Sequence, residues 1–318
     1  MKVVVTKTEG SPHFGLLDAL ELPDLRIVHV ETADDLAREI VDADVLYGFP
    51  NRGLLGQGTA LRWIQSPSAG VNFLQELPEL VESEVLLTNT RGAHGPSIGE
   101  HTFALLFTLT RHIPACIQAQ REHYWARPEL YRTGREIRGL TMGIVGYGAI
   151  GRAVAQRAKG FEMAILAVDP HPDPQAPFVA EAWGMDRLSD LLAQSDVVVV
   201  AAPLTPESYH LLDAAALAMM KRDAYLIVVS RGGIVDEQAL ASALGEGRLA
   251  GAGLDVTEIE PLPSDSPLWD APNLILTPHT AGDSSEKERR CVEIFIENLN
   301  RFSRGDTLVN LVDKRRGY

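Results

Sequence analysis

The chain has 318 residues, more than one hydrophobic core usually organises, so its length predicts two domains. Its 45% hydrophobic and 23% charged residues are typical of a globular protein. The sequence contains no run of about 18 apolar residues, so no membrane span is predicted. The formal net charge of -14 argues against a nucleic-acid partner, because phosphate binding requires clustered basic residues. Two cysteines, Cys116 and Cys291, are too few for a disulfide framework, and the N-terminus lacks a signal peptide's apolar stretch. Together these features predict a reduced, cytoplasmic location.

Short apolar runs alternate with helical stretches in the N-terminal part of the chain. The runs are rich in β-branched or bulky residues and lie at 3–5, 26–30, 45–47, 62–64 and 85–87. This alternation predicts an α/β domain with a doubly wound parallel sheet.

A helix predicted from Ser97 to Thr110 leads into the second domain. Ser97 is the expected N-cap, with Glu100 as its capping-box partner. The helix is apolar on most sides, so we expect it to be deeply buried. It is apolar on more faces than one domain interior requires, which predicts a homodimer.

Further strands are expected in the second domain, at 142–145, 165–168, 196–201, 225–229, 252–255 and 274–277. A helix predicted over 284–301 returns the chain to the first domain, which is therefore discontinuous. The predicted boundaries are 1–96 with 285–318 for the first domain, and 97–284 for the second.

A glycine-rich motif directly follows the strand at 142–145 and opens a helix. Its six residues are Gly146, Tyr147, Gly148, Ala149, Ile150 and Gly151. This G-x-G-x-x-G spacing between strand and helix is typical of dinucleotide binding. The first glycine permits a tight turn, the second lets the backbone approach the pyrophosphate, and the third allows close packing of helix and strand.

Asp169 stands about 20 residues further on, at the end of the next strand, where an acidic side chain accepts hydrogen bonds from a ribose diol. Its carboxylate would repel a 2′-phosphate, and residues 170–173 contain no Arg or Lys to offset it. The sequence therefore predicts NAD rather than NADP.

Three further side chains are expected at the same sheet edge. Arg231 and His279 follow predicted parallel strands, and Glu260 follows the strand ending at Asp255. Arginine binds a carboxylate with a planar fork. Histidine exchanges a proton near neutral pH, and a carboxylate beside it favours the charged ring. These residue types suit hydride transfer to a 2-oxo acid.

With these motifs in place, the chain resembles the D-isomer-specific 2-hydroxyacid dehydrogenase family over nearly its whole length. The matching segments are 196–206, 231–237, 254–256, 260–263 and 277–279, besides the glycine loop. The resemblance implies a Rossmann cofactor domain inserted into a flavodoxin-like substrate domain, the glyoxylate/hydroxypyruvate reductase or phosphoglycerate dehydrogenase branch, and a homodimer.

The resemblance also implies individual roles. Arg231 would bind the substrate carboxylate and carbonyl, His279 would be the acid/base, and Glu260 would be its partner. Asp255 would contact the nicotinamide carboxamide, and Pro203 would line the cofactor site. The backbone N–H groups of Ala69, Gly70 and Val71 would hold the substrate carboxylate.

Each of these positions also has an ordinary structural explanation. Arg231 suits a surface residue at a helix start, His279 a packed histidine, Glu260 a turn acid, Asp255 a helix N-cap, and the 69–71 loop a simple turn. No metal site is expected, because the remaining histidines match no ligand spacing.

The sequence favours some substrates over others. Glyoxylate or hydroxypyruvate is the first choice, and formate is disfavoured because formate dehydrogenases usually carry Gln in place of Glu260. Arg52 and Arg91 are candidates for binding a second anionic group, or are surface charges. The alternative function is an NAD(H)-sensing corepressor-like binding protein on the same fold, although no separate peptide-docking extension is expected.

Overall fold

The computed structural model describes residues 1–6 and 12–316. The chain divides into two compact units: unit 1 is Met1–His94 with Asp283–Tyr318, and unit 2 is Gly95–Gly282. The boundaries predicted from the sequence stand two residues later at both breaks, at 96 and 284 rather than 94 and 282.

Unit 1 contains a five-stranded sheet whose strand pairs are all parallel. Its strands are β1 (Lys2–Thr6), β2 (Arg26–Val30), β3 (Val45–Tyr47), β4 (Trp63–Gln65) and β5 (Leu86–Thr88). The order β2-β1-β3-β4-β5 is the flavodoxin-like order. The helices between them are α1 (Gly15–Asp18), α2 (Ala33–Glu39), α3 (Arg52–Gln57) and α4 (Pro78–Glu82), with 3₁₀ turns at Pro12–Phe14 and Asn72–Glu76.

Unit 2 begins with three helices, α5 (Gly95–Thr110), α6 (Ile113–Arg121) and α7 (Arg127–Leu130). Seven parallel strands follow: β6 (Thr141–Val145), β7 (Ala164–Val168), β8 (Glu181–Trp183), β9 (Val197–Val200), β10 (Tyr225–Val228), β11 (Gly251–Leu254) and β12 (Leu274–Leu276). Between them lie α8 (Ala149–Gly160), α9 (Leu188–Gln194), α10 (Ala214–Met219), α11 (Glu237–Gly245) and 3₁₀ turns at Met185–Arg187 and Pro267–Asp270. The sheet order is β12-β11-β10-β9-β6-β7-β8, which contains the Rossmann order. The predicted pair of doubly wound parallel-sheet domains is confirmed.

The central strands of unit 2 are buried on both faces. Every residue of β9 and β10 is buried, and their side chains alternate between two hydrophobic clusters on opposite sides of the sheet. Parallel strands that are covered on both faces require continuous apolar runs. The sequence therefore predicts these two strands.

Helix α5 begins two residues before its predicted N-cap. Gly95 and Pro96 already belong to the helix, so the prediction of Ser97 as N-cap with a capping box is wrong. Proline is tolerated in the first turn because the N–H that it lacks would have no intrahelical partner there. Glu100 instead pairs with Arg157 of α8, with 3.0 Å between Oε1 and Nη2. The helix is largely buried, as predicted.

The last helix, α12 (Ser285–Arg304), completes the core of unit 1. Its N-cap Ser284 accepts a hydrogen bond from the backbone of Lys287. Its apolar side packs Phe295 against Trp63 of β4, with ring centroids 5.4 Å apart. Its other side is charged, and within the described residues no helix is both long and apolar enough to cross a membrane.

Candidate active site

The glycine-rich loop runs from the carboxyl end of β6 to the first turn of α8. Gly146 has a φ of +90°, and a Cβ there would lie 2.5 Å from the backbone nitrogen of Ala202. A Cβ on Gly151 would lie 2.3 Å from the Gly146 carbonyl oxygen, so loop and helix are tightly packed. At Gly148, the N-cap of α8, a Cβ would meet no atom within 4 Å. This open helix N-terminus suits the pyrophosphate of a dinucleotide.

Asp169 directly follows β7 and is tied to the same loop. Its Oδ2 accepts a hydrogen bond from the backbone of Tyr147 at 2.8 Å, and its Oδ1 accepts one from the backbone of His171 at 2.9 Å. These residues line a cavity of about 140 Å³ together with Arg152 and Asp173. Residues 170–173 carry no Arg or Lys, but α8 brings Arg152 into this cavity, a positive charge that was not predicted from the sequence.

Arg231 lies just beyond β10, at the carboxyl edge of the sheet. Its Nη1 donates to the carbonyl oxygen of Ser230 at 2.7 Å. Burial lowers the pKa of the Arg231 guanidinium, and the negative charge of Glu260 acts in the opposite direction. An arginine remains charged at neutral pH in either case.

His279 and Glu260 form a direct pair. The His279 Nδ1 lies 2.7 Å from the Glu260 Oε2, and the other carboxylate oxygen accepts from the backbone of Thr257 at 3.1 Å. The two side chains keep 45% and 38% of their surface exposed. Because Glu260 occupies Nδ1, the Nε2 atom is the ring nitrogen left to exchange a proton.

Asp255 is 2% exposed and shapes the loop that carries His279. Its Oδ1 accepts from the Thr277 hydroxyl at 2.6 Å and from the backbone of Thr280 at 3.0 Å, and its Oδ2 accepts from the backbone of Ala281 at 2.9 Å. Its carbonyl oxygen accepts from the backbone of His279 at 2.7 Å. The contact between Asp255 and the nicotinamide carboxamide stays a prediction.

The loop carrying Glu260 packs directly against the loop carrying Arg231. A Cβ on Gly232 would lie 2.0 Å from the carbonyl carbon and oxygen of Thr257 and 2.4 Å from the nitrogen of Glu258. Glycine is therefore required at this contact for steric reasons.

A second group of side chains holds Glu258 in this loop. No role was predicted for Glu258 from the sequence. The Glu258 carboxylate accepts from the Tyr209 hydroxyl at 2.7 Å and lies 3.2 Å from the His210 Nε2. These hydrogen bonds lower the pKa of Glu258. The Glu258 N–H donates to Glu237 of α11 at 2.5 Å. Burial raises the pKa of Glu237, and the charges of Glu258 and Glu260 add to that effect.

The loop predicted to bind substrate in unit 1 follows β4. The backbone of Gly70 donates to the Ser68 hydroxyl at 3.2 Å, and Asn89 donates to the Ala69 carbonyl at 2.8 Å. These contacts hold the loop in place, and Val71 at its end is buried.

The two arginines considered for a second anion also lie in unit 1. The Arg52 Nε pairs with Glu79 at 2.9 Å, and its Nη2 donates to the Glu76 carbonyl. The Arg52 guanidinium is thus already bonded to groups at the surface of unit 1. Arg91 is exposed, and its backbone N–H donates to Asn89.

No group of three or more His, Cys, Asp or Glu that could hold a metal ion occurs among residues 1–6 and 12–316. His101 on α5 lies 2.9 Å from the Thr277 hydroxyl, so it takes part in the Asp255 network.

Comparison with known proteins identifies the family. The family model described as "D-isomer specific 2-hydroxyacid dehydrogenase, NAD binding domain" matches residues 103–281, more than half of the chain. The chain belongs to the D-isomer specific 2-hydroxyacid dehydrogenase family. It is an NAD-dependent oxidoreductase, and the predictions of family, enzyme class and NAD cofactor are confirmed.

Individual members of the family resemble this dehydrogenase over nearly its full length. It is 36% identical over 304 residues to a glyoxylate reductase of Korarchaeum cryptofilum, and the alignment covers 92% of this chain and 88% of the relative. It is 31% identical over 320 residues to a D-3-phosphoglycerate dehydrogenase of Methanocaldococcus jannaschii, which covers 98% of this chain and 59% of that one. A crystal structure of a D-isomer specific 2-hydroxyacid dehydrogenase family protein from Aeromonas salmonicida superposes with a TM-score of 0.87 at 34% identity, covering 98% and 99% of the two chains.

Proposed function

We propose that this dehydrogenase interconverts a small 2-oxo acid and its D-2-hydroxy acid, and that Arg231, His279 and Glu260 carry the reaction. Glyoxylate and hydroxypyruvate are the first substrates to test, and the similarity to a glyoxylate reductase supports that choice. The strongest support is the His279–Glu260 pair, because a carboxylate on Nδ1 prepares the ring for proton transfer at Nε2.

Arg231 binds the substrate carboxylate and polarises the carbonyl. Its guanidinium combines a fixed charge with a planar fork, which matches a carboxylate through two parallel hydrogen bonds. Its partial burial strengthens this interaction, because a charge is screened less away from water. In unit 1, the backbone N–H groups of Ala69, Gly70 and Val71 are also proposed to bind a carboxylate.

His279 moves the proton. It enters reduction as the charged ring and gives its Nε2 proton to the carbonyl oxygen, and it enters oxidation neutral and accepts a proton from the hydroxyl. Glu260 fixes the ring orientation through its contact with Nδ1.

The glycine loop and Asp169 hold the dinucleotide. The open N-terminus of α8 at Gly148 receives the pyrophosphate, Asp169 accepts hydrogen bonds from the ribose hydroxyls, and Pro203 and Asp255 border the cofactor site. When bound, the nicotinamide supplies or accepts the hydride.

We also propose that the dehydrogenase is a cytoplasmic homodimer. The helices α6 and α7 and their flanks expose large apolar side chains, with Trp125 83%, Tyr131 57% and Ile117 44% exposed. Exposed apolar surface of this kind is typical of a protein interface. Helix α5, on which the sequence argument for a dimer rested, is already largely buried in a single chain, so the support comes from this neighbouring segment.

The proposed activity is tested by following NADH absorbance with a panel of 2-oxo acids that includes glyoxylate, hydroxypyruvate and pyruvate. We expect turnover of at least one small 2-oxo acid, and a large loss in His279→Ala with NADH binding retained. Tight NADH binding without turnover of any panel member would overturn the proposal and favour the NAD(H)-sensing binding protein.

A further inference from the structure

An ion pair beside Asp169 has no part in the reaction described above. Arg152 stands in the first turn of α8, and its Nη2 lies 3.2 Å from the Asp173 Oδ2. Both side chains line the same cavity as Asp169. We propose that Asp173 is a specificity-determining residue, because by holding Arg152 it keeps this cavity selective for NADH over NADPH. The inference rests on the ribose role proposed above for Asp169.

Arg152 is placed at this cavity by an aromatic ring as well as by Asp173. Its guanidinium carbon lies 5.2 Å from the ring centroid of Tyr147. That ring is fixed, because Tyr147 is 5% exposed and its hydroxyl donates to the Pro177 carbonyl. The Tyr147 backbone also donates to Asp169. Arg152 is therefore stacked beside the residue that we expect to bind the ribose.

Asp173 is oriented independently of Arg152. Its Oδ1 accepts from the backbone of Gln175 at 2.9 Å, which directs Oδ2 to Arg152. The hydrogen bonds from Gln175 and then Arg152 lower the pKa of Asp173. The carboxylate is thus charged at neutral pH and stays in position to neutralise the guanidinium.

The charges of the cavity explain the selectivity. Asp169 and Asp173 are negative, and Arg152 is the one guanidinium among the described residues that line the cavity. A ribose diol adds no charge and donates to Asp169, whereas a 2′-phosphate adds roughly two negative charges. When Asp173 is paired with Arg152, that phosphate meets a cavity with excess negative charge. Without Asp173, Arg152 is free to bind the phosphate through its planar fork.

The test is direct binding of both cofactors, measured by isothermal titration calorimetry. We expect Asp173→Asn to tighten the Kd for NADPH by about tenfold, the effect of one charge-assisted contact, and to change the Kd for NADH by less than about twofold. In the double variant with Arg152→Gln, the gain for NADPH should disappear. Asp190→Asn is the matched control, since Asp190 forms a similarly exposed ion pair with Arg187 elsewhere in unit 2.

Either of two results would overturn the inference. One is an unchanged Kd for NADPH in Asp173→Asn. The other is a gain that persists with Arg152→Gln, which would mean that Asp173 acts by simple repulsion. Because calorimetry requires no turnover, failure of the proposed reaction is read separately, as absent NADH oxidation by the wild type with every 2-oxo acid. Asp169→Asn reports on the ribose role, and a loss of NADH affinity is expected there.

Discussion

The His279 imidazole is positioned by its backbone and by its side chain. The residue has a φ of +54°, in the left-handed region that residues other than glycine seldom adopt. Its N–H is held by the Asp255 carbonyl, and its Nδ1 is held by Glu260. An uncommon backbone conformation fixed by surrounding contacts is frequent at functional sites. The proton-transfer step should therefore depend on Glu260 more than on any distant charge.

We expect Glu260→Gln to lower kcat/KM in both directions. The Glu260 carboxylate fixes the His279 ring through Nδ1 and leaves Nε2 to exchange the proton. The amide keeps the shape but loses the charge-assisted contact, and reduction and oxidation both pass their proton through this ring. We expect a fall of about 10²-fold with the Kd for NADH unchanged. The measurement is kcat/KM in both directions, together with NADH binding.

A surface substitution provides the control for that experiment. Glu246→Gln removes a carboxylate from the exposed pair with Arg248 and should leave kcat/KM unchanged in both directions. An unchanged kcat/KM in Glu260→Gln would mean that Glu260 is a turn residue and not the partner of the histidine.

Arg231→Lys should lose activity although the charge is retained. Lysine is a point charge and does not reproduce the planar fork that binds a carboxylate and polarises a carbonyl. We expect kcat/KM to fall by about 10²-fold, the effect of losing one preorganised donor at the reacting oxygen. Arg248→Lys is the control on the surface. A lysine variant with nearly wild-type kcat/KM would contradict the role of Arg231.

At the scale of elements, the active site depends on two loops that touch. The loop after β10 carries Arg231, the loop after β11 carries Glu260, and Gly232 lies at their contact. Glu237 at the start of α11 ties the second loop to the segment that follows the first. The two loops therefore cannot shift independently of one another.

Gly232→Ala tests this contact. Its Cβ would overlap backbone atoms of Thr257, which a rotamer change cannot relieve, so we expect a loss of about 1–3 kcal/mol in the free energy of unfolding. The kcat/KM should fall more than the affinity for NADH, which is bound elsewhere on the sheet edge. Gly245→Ala in α11 is the control, because a Cβ there meets no atom within 4 Å. Equal stability of the two variants would count against the contact.

Features that have a strong local pattern in the sequence were predicted, and features that depend on distant contacts were not. The strands at 197–200 and 225–228 were predicted because they are buried on both faces, and the glycine loop because its spacing is tied to one turn. Strand β8 was missed, since Glu181–Trp183 at the sheet edge forms no apolar run. Glu237, Tyr209 and Arg152 were missed because their contacts arise only when segments distant in sequence pack together.

At the scale of the whole molecule, the exposed aromatic segment around α6 and α7 should determine the oligomeric state. We expect light scattering to show a dimer at micromolar concentration, and Trp125→Glu to shift it towards monomer, because a charge replaces an 83% exposed apolar ring. Val41→Glu places a charge on an exposed apolar position of unit 1 and should leave the dimer intact. A monomeric wild type would refute the proposal.

Unit 1 is assembled from both ends of the chain, and its core joins Val3 and Val5 to Phe295 and Leu299. During synthesis, residues 1–94 leave the ribosome without the helix that covers one face of their sheet, while unit 2 is continuous. We expect a released chain that ends at Gly282 to hold a protease-resistant unit 2 behind a protease-sensitive N-terminal segment. The part of the molecule made first would then be the last to fold, which reverses the usual vectorial order.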